Sequence, residues 1–131
     1  MGAVDSYVVL MGIFRFSSQE DIPADSQAIQ RALFKLSKLF PDLLDESLFD
    51  EEGFSQELDV DFDTIMLSGM LGMLGSKLEM LRIGSNLINE FDNQLSSNFD
   101  NEQINQLRKM GKLFPKLLKK NESVRYKRLT K

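Results

Sequence analysis

Ser55-Gln56-Glu57-Leu58-Asp59-Val60-Asp61-Phe62-Asp63-Thr64-Ile65-Met66-Leu67-Ser68 admits two readings. Leu58, Val60 and Phe62 alternate with Asp59, Asp61 and Asp63, as a half-buried strand would. Leu58, Phe62, Ile65, Met66 and Met70 recur instead at helical spacing. Aspartate is a poor strand residue, and the helical stripe outlasts the alternation, so the stretch is predicted as helix. Ser55 is its N-cap. Glu57 lies in the first turn, where a carboxylate complements the helix dipole.

Working outward, Val4–Phe16 reads as a buried first helix on the spacing of Tyr7, Val8, Leu10, Met11 and Phe14. Ser17–Pro23 is a polar connection. Ala24–Phe40 is the clearest helix, with Ile29, Leu33, Leu36 and Phe40 at i, i+4, i+7 and i+11, thickened by Ala32 and Leu39. Pro41 disfavours helical backbone at Phe40 and sets the stop. Downstream, Gly69, Gly72 and Gly75 break regular helix. The run from Met73 to Ile83 is predicted as two short strands around a turn near Ser76–Leu78, with Met66, Met70, Met73 and Met80 giving the region an adaptable apolar surface. Ser85 opens a helix carrying Leu87, Ile88, Phe91 and Leu95. Asp100 and Gln103 form a capping box for a last helix carrying Ile104, Leu107, Met110, Leu113 and Phe114.

Residues 35–44 and 109–118 match at seven of ten positions and share Leu-Phe-Pro. The match reads either as a duplication or, preferably, as two amphipathic helices ending in the same Phe-Pro stop, because it decays upstream. The chain of 131 residues is expected to form one globular domain over 1–120, followed by a basic, aperiodic and mobile tail over 121–131.

Charge is strongly segregated. Ten of the 16 basic residues lie between Arg108 and Lys131 beside a single acid, Glu122, so that segment is +9. The remaining six bases and nineteen acids leave the body at −13, although the whole chain is only −4. There is no Cys and no His. Disulfides, thiolate nucleophiles and thiolate metal sites are thereby excluded, and with them the usual general base near neutral pH. No catalytic residue, cofactor site or metal ligand is assigned. The apolar start carries Asp5 and Arg15 and lacks a cleavage site, so it does not read as a signal peptide. No run approaches the roughly 20 apolar residues of a membrane span. A soluble cytoplasmic protein without membrane contact is expected.

The residues from Asp42 to Asp63 include ten acids and no base. Asp59, Asp61 and Asp63 alternate as in a calcium-binding EF-hand loop, but Thr64 replaces the glycine and Met70 the closing glutamate. The stretch therefore reads as a solvated acidic face. The glycines form no phosphate-cradling motif. At the basic end, Lys109, Lys112, Lys116 and Lys120 lie along one helical face beside Arg108 and Lys119. Arg125, Lys127 and Arg128 follow, with Tyr126 interleaved. Three readings fit this end: solvated lysines complementing a helix C-terminus, a contact with the acidic surface of this chain, of a neighbouring subunit or of a partner, or a nucleic-acid or anionic membrane surface.

Three helices, a Gly-rich short hairpin and a further helix, with Ser68-Gly69-Met70-Leu71-Gly72 closing the third helix, resemble a winged-helix arrangement over residues 4–95. The resemblance implies a mainly helical α+β fold with one short β-hairpin, residues 58–68 as the third helix and 73–83 as the wing. In DNA-binding members of that superfamily the third helix enters the major groove and ordinarily carries Arg or Lys. Here it carries Glu57, Asp59, Asp61 and Asp63. The expectation is a non-enzymatic interaction module, a small adaptor or regulatory subunit. Its acidic third helix and basic last helix would dock proteins, including copies of itself, and a nucleic-acid-binding regulator acting through residues 108–131 is the alternative.

Overall fold

The computed structural model describes residues 6–17, 22–23, 26–67, 71–73, 80–83 and 85–129, with side-chain surroundings for 6–17, 27–67, 87–95 and 97–118. The first helix, α1 (Ser6–Phe16), is apolar almost all round and lies at the centre. Val8, Val9, Leu10, Met11, Ile13 and Phe14 are all buried, as expected of a helix enclosed by other helices. Against it pack α3 (Gln56–Leu67), α4 (Ser85–Asn98) and α5 (Asn101–Leu129), while α2 (Ser26–Leu39) packs on α5. Phe14 joins two of these layers: its ring lies 6.0 Å from Phe62 of α3 and 5.5 Å, edge-on, from Phe114 of α5.

The helix boundaries follow local chemistry. α2 stops at Leu39, and the carbonyl of Phe40 then accepts bonds from the N–H groups of Leu43 (3.2 Å) and Leu44 (3.0 Å). This turn after Pro41 drives Leu43 and Leu44 into the core. Leu39, expected to thicken the α2 stripe, is 60% exposed. A single 3-10 turn, Glu46–Leu48, is capped by Asp45, whose carboxylate accepts from the Ser47 N–H at 2.9 Å. The backbone and then the side chain of Ser47 hold the Asp45 carboxyl below its ordinary range. The loop before α3 closes on Asp50, whose Oδ1 accepts from the N–H groups of Glu52 and Phe54, with Gly53 at φ +82°. Ser55 caps α3 as predicted, its Oγ accepting from the Leu58 N–H at 3.1 Å. The capping box of α5 is reciprocal: Gln103 N–H donates to Asp100 Oδ1 (2.8 Å) and Asp100 N–H to Gln103 Oε1 (2.9 Å).

The expected α+β fold with one short β-hairpin is corrected to a helical fold. Among the described residues five helices carry it, and the described core lies on them and on their connections. The extended segments β1 (Ile22–Pro23), β2 (Leu71–Met73) and β3 (Met80–Ile83) have two, three and four residues, too short to make a layer of their own. β2 and β3 run antiparallel, with Gly72 opposite Arg82. β1 is drawn from the end of the polar connection Ser17–Pro23. It adds to β3 through Ile22 opposite Leu81, giving the order β1-β3-β2. The turn near Ser76–Leu78 lies outside the described residues, as do Gly69, Met70 and Gly75.

A second correction concerns the shared Phe-Pro. Phe40-Pro41 ends α2, but Phe114-Pro115 lies inside α5, which continues to Leu129. The two segments are not two copies of one stop, and the α5 backbone continues through 121–129.

Candidate functional site

The strand-like alternation of α3 decides how its acids are displayed. A helix turns about 100° per residue, so Asp59 and Asp63 share one side while Glu57 and Asp61 share nearly the opposite one. The buried face between these pairs holds Leu58 and Ile65, with Phe62 and Met66 packed against the core. Ser6, at the start of α1, donates to Asp61 Oδ2 at 2.7 Å and reaches Glu57 Oε1 at 3.4 Å. Glu57 and Asp61 therefore line the α1 side of α3, where the positive end of the α1 dipole favours them. Asp59, half-buried, and Asp63, exposed, line the other side. The four acids do not form one patch. Among the described residues no acids converge as a metal site would require.

What lies between the two acidic edges, facing outward, was missed by the sequence reading. Val60 is 56% exposed and Leu67 is 89% exposed, seven residues apart on one face of α3. The signal was present. Both fall off the Leu58–Phe62–Ile65 stripe, so a helix that buries that stripe must turn them to solvent.

The basic face of α5 is better ordered than its sequence suggests. Leu107, Met110, Phe114 and Leu118 are buried on one side, and Arg108, Lys109, Lys112 and Lys116 are exposed on the other. Arg108 is partly committed, its guanidinium 5.6 Å from the ring centre of Phe16, on which Arg15 also lies at 5.7 Å. Arg15 in turn pairs with Asp92 at 3.3 Å. Lys109, Lys112 and Lys116 form no salt bridge among the described residues. The α5 backbone carries Lys119, Lys120, Arg125, Lys127 and Arg128 onward, but their side chains lie outside the described set.

The predicted site residues thus lie on two helices, the acids along two opposite edges of α3 and the described bases on the outward face of α5. Both helices pack on α1 through their opposite, apolar sides. No helix among the described residues is long and apolar enough to cross a membrane. Compared with known protein families, curated proteins and solved structures, the chain matches none.

Proposed function

We propose that this chain is a non-enzymatic protein-interaction module, a small soluble adaptor or regulatory subunit of the cytoplasm. The outward face of α3 carries the reading. Val60 and Leu67 stand exposed between carboxylates on a helix whose other side is already committed to the core. A large apolar side chain at 89% exposure gains nothing for its own fold, and an apolar pair rimmed by polar groups is the pattern of a docking surface. The lack of His and Cys supports a role without catalysis. The winged-helix resemblance enters this proposal as element order alone, with α3 in the place of the helix that reads DNA in that superfamily. Four carboxylates on that helix favour protein over nucleic acid as its partner.

The test is paired affinity capture from the source cell, with the full chain and its Val60→Ser/Leu67→Ser variant as baits. Both positions are exposed, so the variant is expected to fold normally. A partner held by the parent and lost by the variant supports the reading. Turnover of a defined substrate that a single carboxylate substitution abolishes would overturn it.

A second reading, a nucleic-acid-binding regulator, rests on the α5 face, where Lys109, Lys112 and Lys116 stand exposed together. It requires affinity for a nucleic acid that falls steeply with salt and drops on Lys112→Ala/Lys116→Ala substitution.

A further inference from the structure

We infer that the partner seated on the α3 face is a second copy of this chain, presenting the basic face of its α5. The inference rests on the interaction-module reading and gives that module a partner.

The chemistry of the α3 face restricts what can cover it. Val60 and Leu67 offer apolar surface, but Asp59 and Asp63 stand immediately beside them. A purely apolar partner would strip water from both carboxylates without replacing it, which is costly. A purely charged partner would leave Val60 and Leu67 wet. Lysine answers both demands, because its four-carbon stem lies along apolar surface while its ammonium stays at the rim.

The α5 face has lysines at the matching intervals. Val60 and Leu67 are seven residues apart, as are Lys109 and Lys116. At 1.5 Å per residue both intervals span about 10 Å. Asp59 and Asp63 are four residues apart, as are Lys112 and Lys116, and both intervals span about 6 Å. Two helices laid antiparallel can therefore bring the heads of Lys116 and Lys112 to Asp59 and Asp63 while the stems of Lys116 and Lys109 cover Val60 and Leu67.

Within one chain these faces cannot meet. Each is the side of its helix turned away from α1, and Phe14 lies between the buried sides through Phe62 and Phe114. The complement has to come from another molecule. Every copy carries both halves on different sides of the molecule, so the contact repeats head to tail from copy to copy, closing a ring or extending a chain according to the rotation between copies. Nucleic acid is a poorer occupant for the lysines, because a body of −13 repels a polyanion approaching α5. Exposed ion pairs are individually weak, so the association should be of micromolar order and sensitive to salt.

Sedimentation velocity of the full chain, over a concentration series at low and at high salt, reads this directly. The parent is expected to associate at low salt, and the association to weaken by about tenfold at high salt. Lys112→Glu/Lys116→Glu and Asp59→Lys/Asp63→Lys should each be monomeric, with helical content unchanged by circular dichroism. Mixed in equal amounts, the two variants should associate again, since every contact between unlike variants then joins opposite charges. A parent that stays monomeric overturns the inference, as does association indifferent to either charge reversal, or a mixture that stays monomeric. A monomeric parent that binds a labelled duplex through Lys112 and Lys116 also overturns it and assigns the α5 face to nucleic acid. A monomeric parent that still captures another protein through Val60 and Leu67 overturns the self-association and leaves the interaction-module reading standing.

Discussion

Gln30 shows how a single polar side chain can fix the placement of a functional helix. Its amide nitrogen donates to the Ser55 carbonyl at 3.0 Å, and its amide oxygen accepts from the Ser55 N–H at 2.9 Å. Both residues are buried, so the amide does for Ser55 what a neighbouring strand would do. Ser55 is the cap of α3, and through it α2 sets where α3 begins. Gln30→Ala leaves the Ser55 N–H buried without a protein partner, whereas the Ser55 carbonyl keeps its bond from the Asp59 N–H at 3.0 Å. One unsatisfied buried donor costs about 1–3 kcal/mol. We expect a loss of about 2 kcal/mol in urea denaturation, against no more than about 0.5 kcal/mol for the exposed Gln56→Ala. Gln30→Glu should not rescue stability, because it turns the donor into a second oxygen facing the Ser55 carbonyl. Neither bond was legible in the sequence, which places no mark on a pair 25 residues apart. The Ser55 cap itself was legible, because capping is a local exchange between a side chain and the next turn.

Among the elements, the two Phe-Pro sites show where local rules end. Proline inside a helix costs about 3 kcal/mol, through a lost hydrogen bond and a clash with the carbonyl four residues back. After Pro41 the chain buries Leu43 and Leu44 by turning, so the stop and the packing agree. After Pro115, Leu118 reaches the core only if the helix continues, because it lies one turn beyond Phe114 on the same face. Burying Phe114 and Leu118 contributes about 1.5–3 kcal/mol each, enough to carry the helix through the proline. The carbonyl that Pro115 crowds belongs to Gly111, where α5 runs close against Phe16 of α1. A Cβ at Gly111 would stand 2.4 Å from Phe16 Cβ and 2.6 Å from the Phe16 carbonyl carbon. α5 is thus pinned to α1 just before its weakest turn. Pro115→Ala should restore a backbone bond while forfeiting part of the buried ring, and we expect a net gain of about 1 kcal/mol by urea denaturation. The sequence announced five helices because their stripes and caps are local. It did not announce β1, two residues whose extended partner among the described residues is β3, nearly 60 positions away. The outward Val60 and Leu67 were readable from helical geometry, but the claim of Ser6 on Glu57 and Asp61 needed the packing of α1 on α3.

For the whole molecule, the segregated charge does not mark a separable part. Residues 108–131 hold the positive charge, yet Met110, Phe114 and Leu118 within them complete the core around α1 and α2. One side of α5 is structural, and the opposite side carries the cations. Truncation after Leu107 would therefore remove these three buried side chains, and the buried Pro115 ring, together with the charge. At about 1.5–3 kcal/mol each, loss of the first three amounts to roughly 5–9 kcal/mol, comparable to the whole stability of a small domain. We expect a chain ending at Leu107 to lose cooperative thermal unfolding in circular dichroism. A chain ending at Lys120 keeps every described core residue and should melt cooperatively. If the shorter chain also melts cooperatively, α5 is an appendage and the core assignment of Phe114 fails. The same comparison bears on every functional test of the basic end. Binding lost on deletion of 108–131 reports an unfolded protein as readily as a missing contact, whereas Lys112→Glu/Lys116→Glu alters only the outward face of a helix whose inward face stays packed.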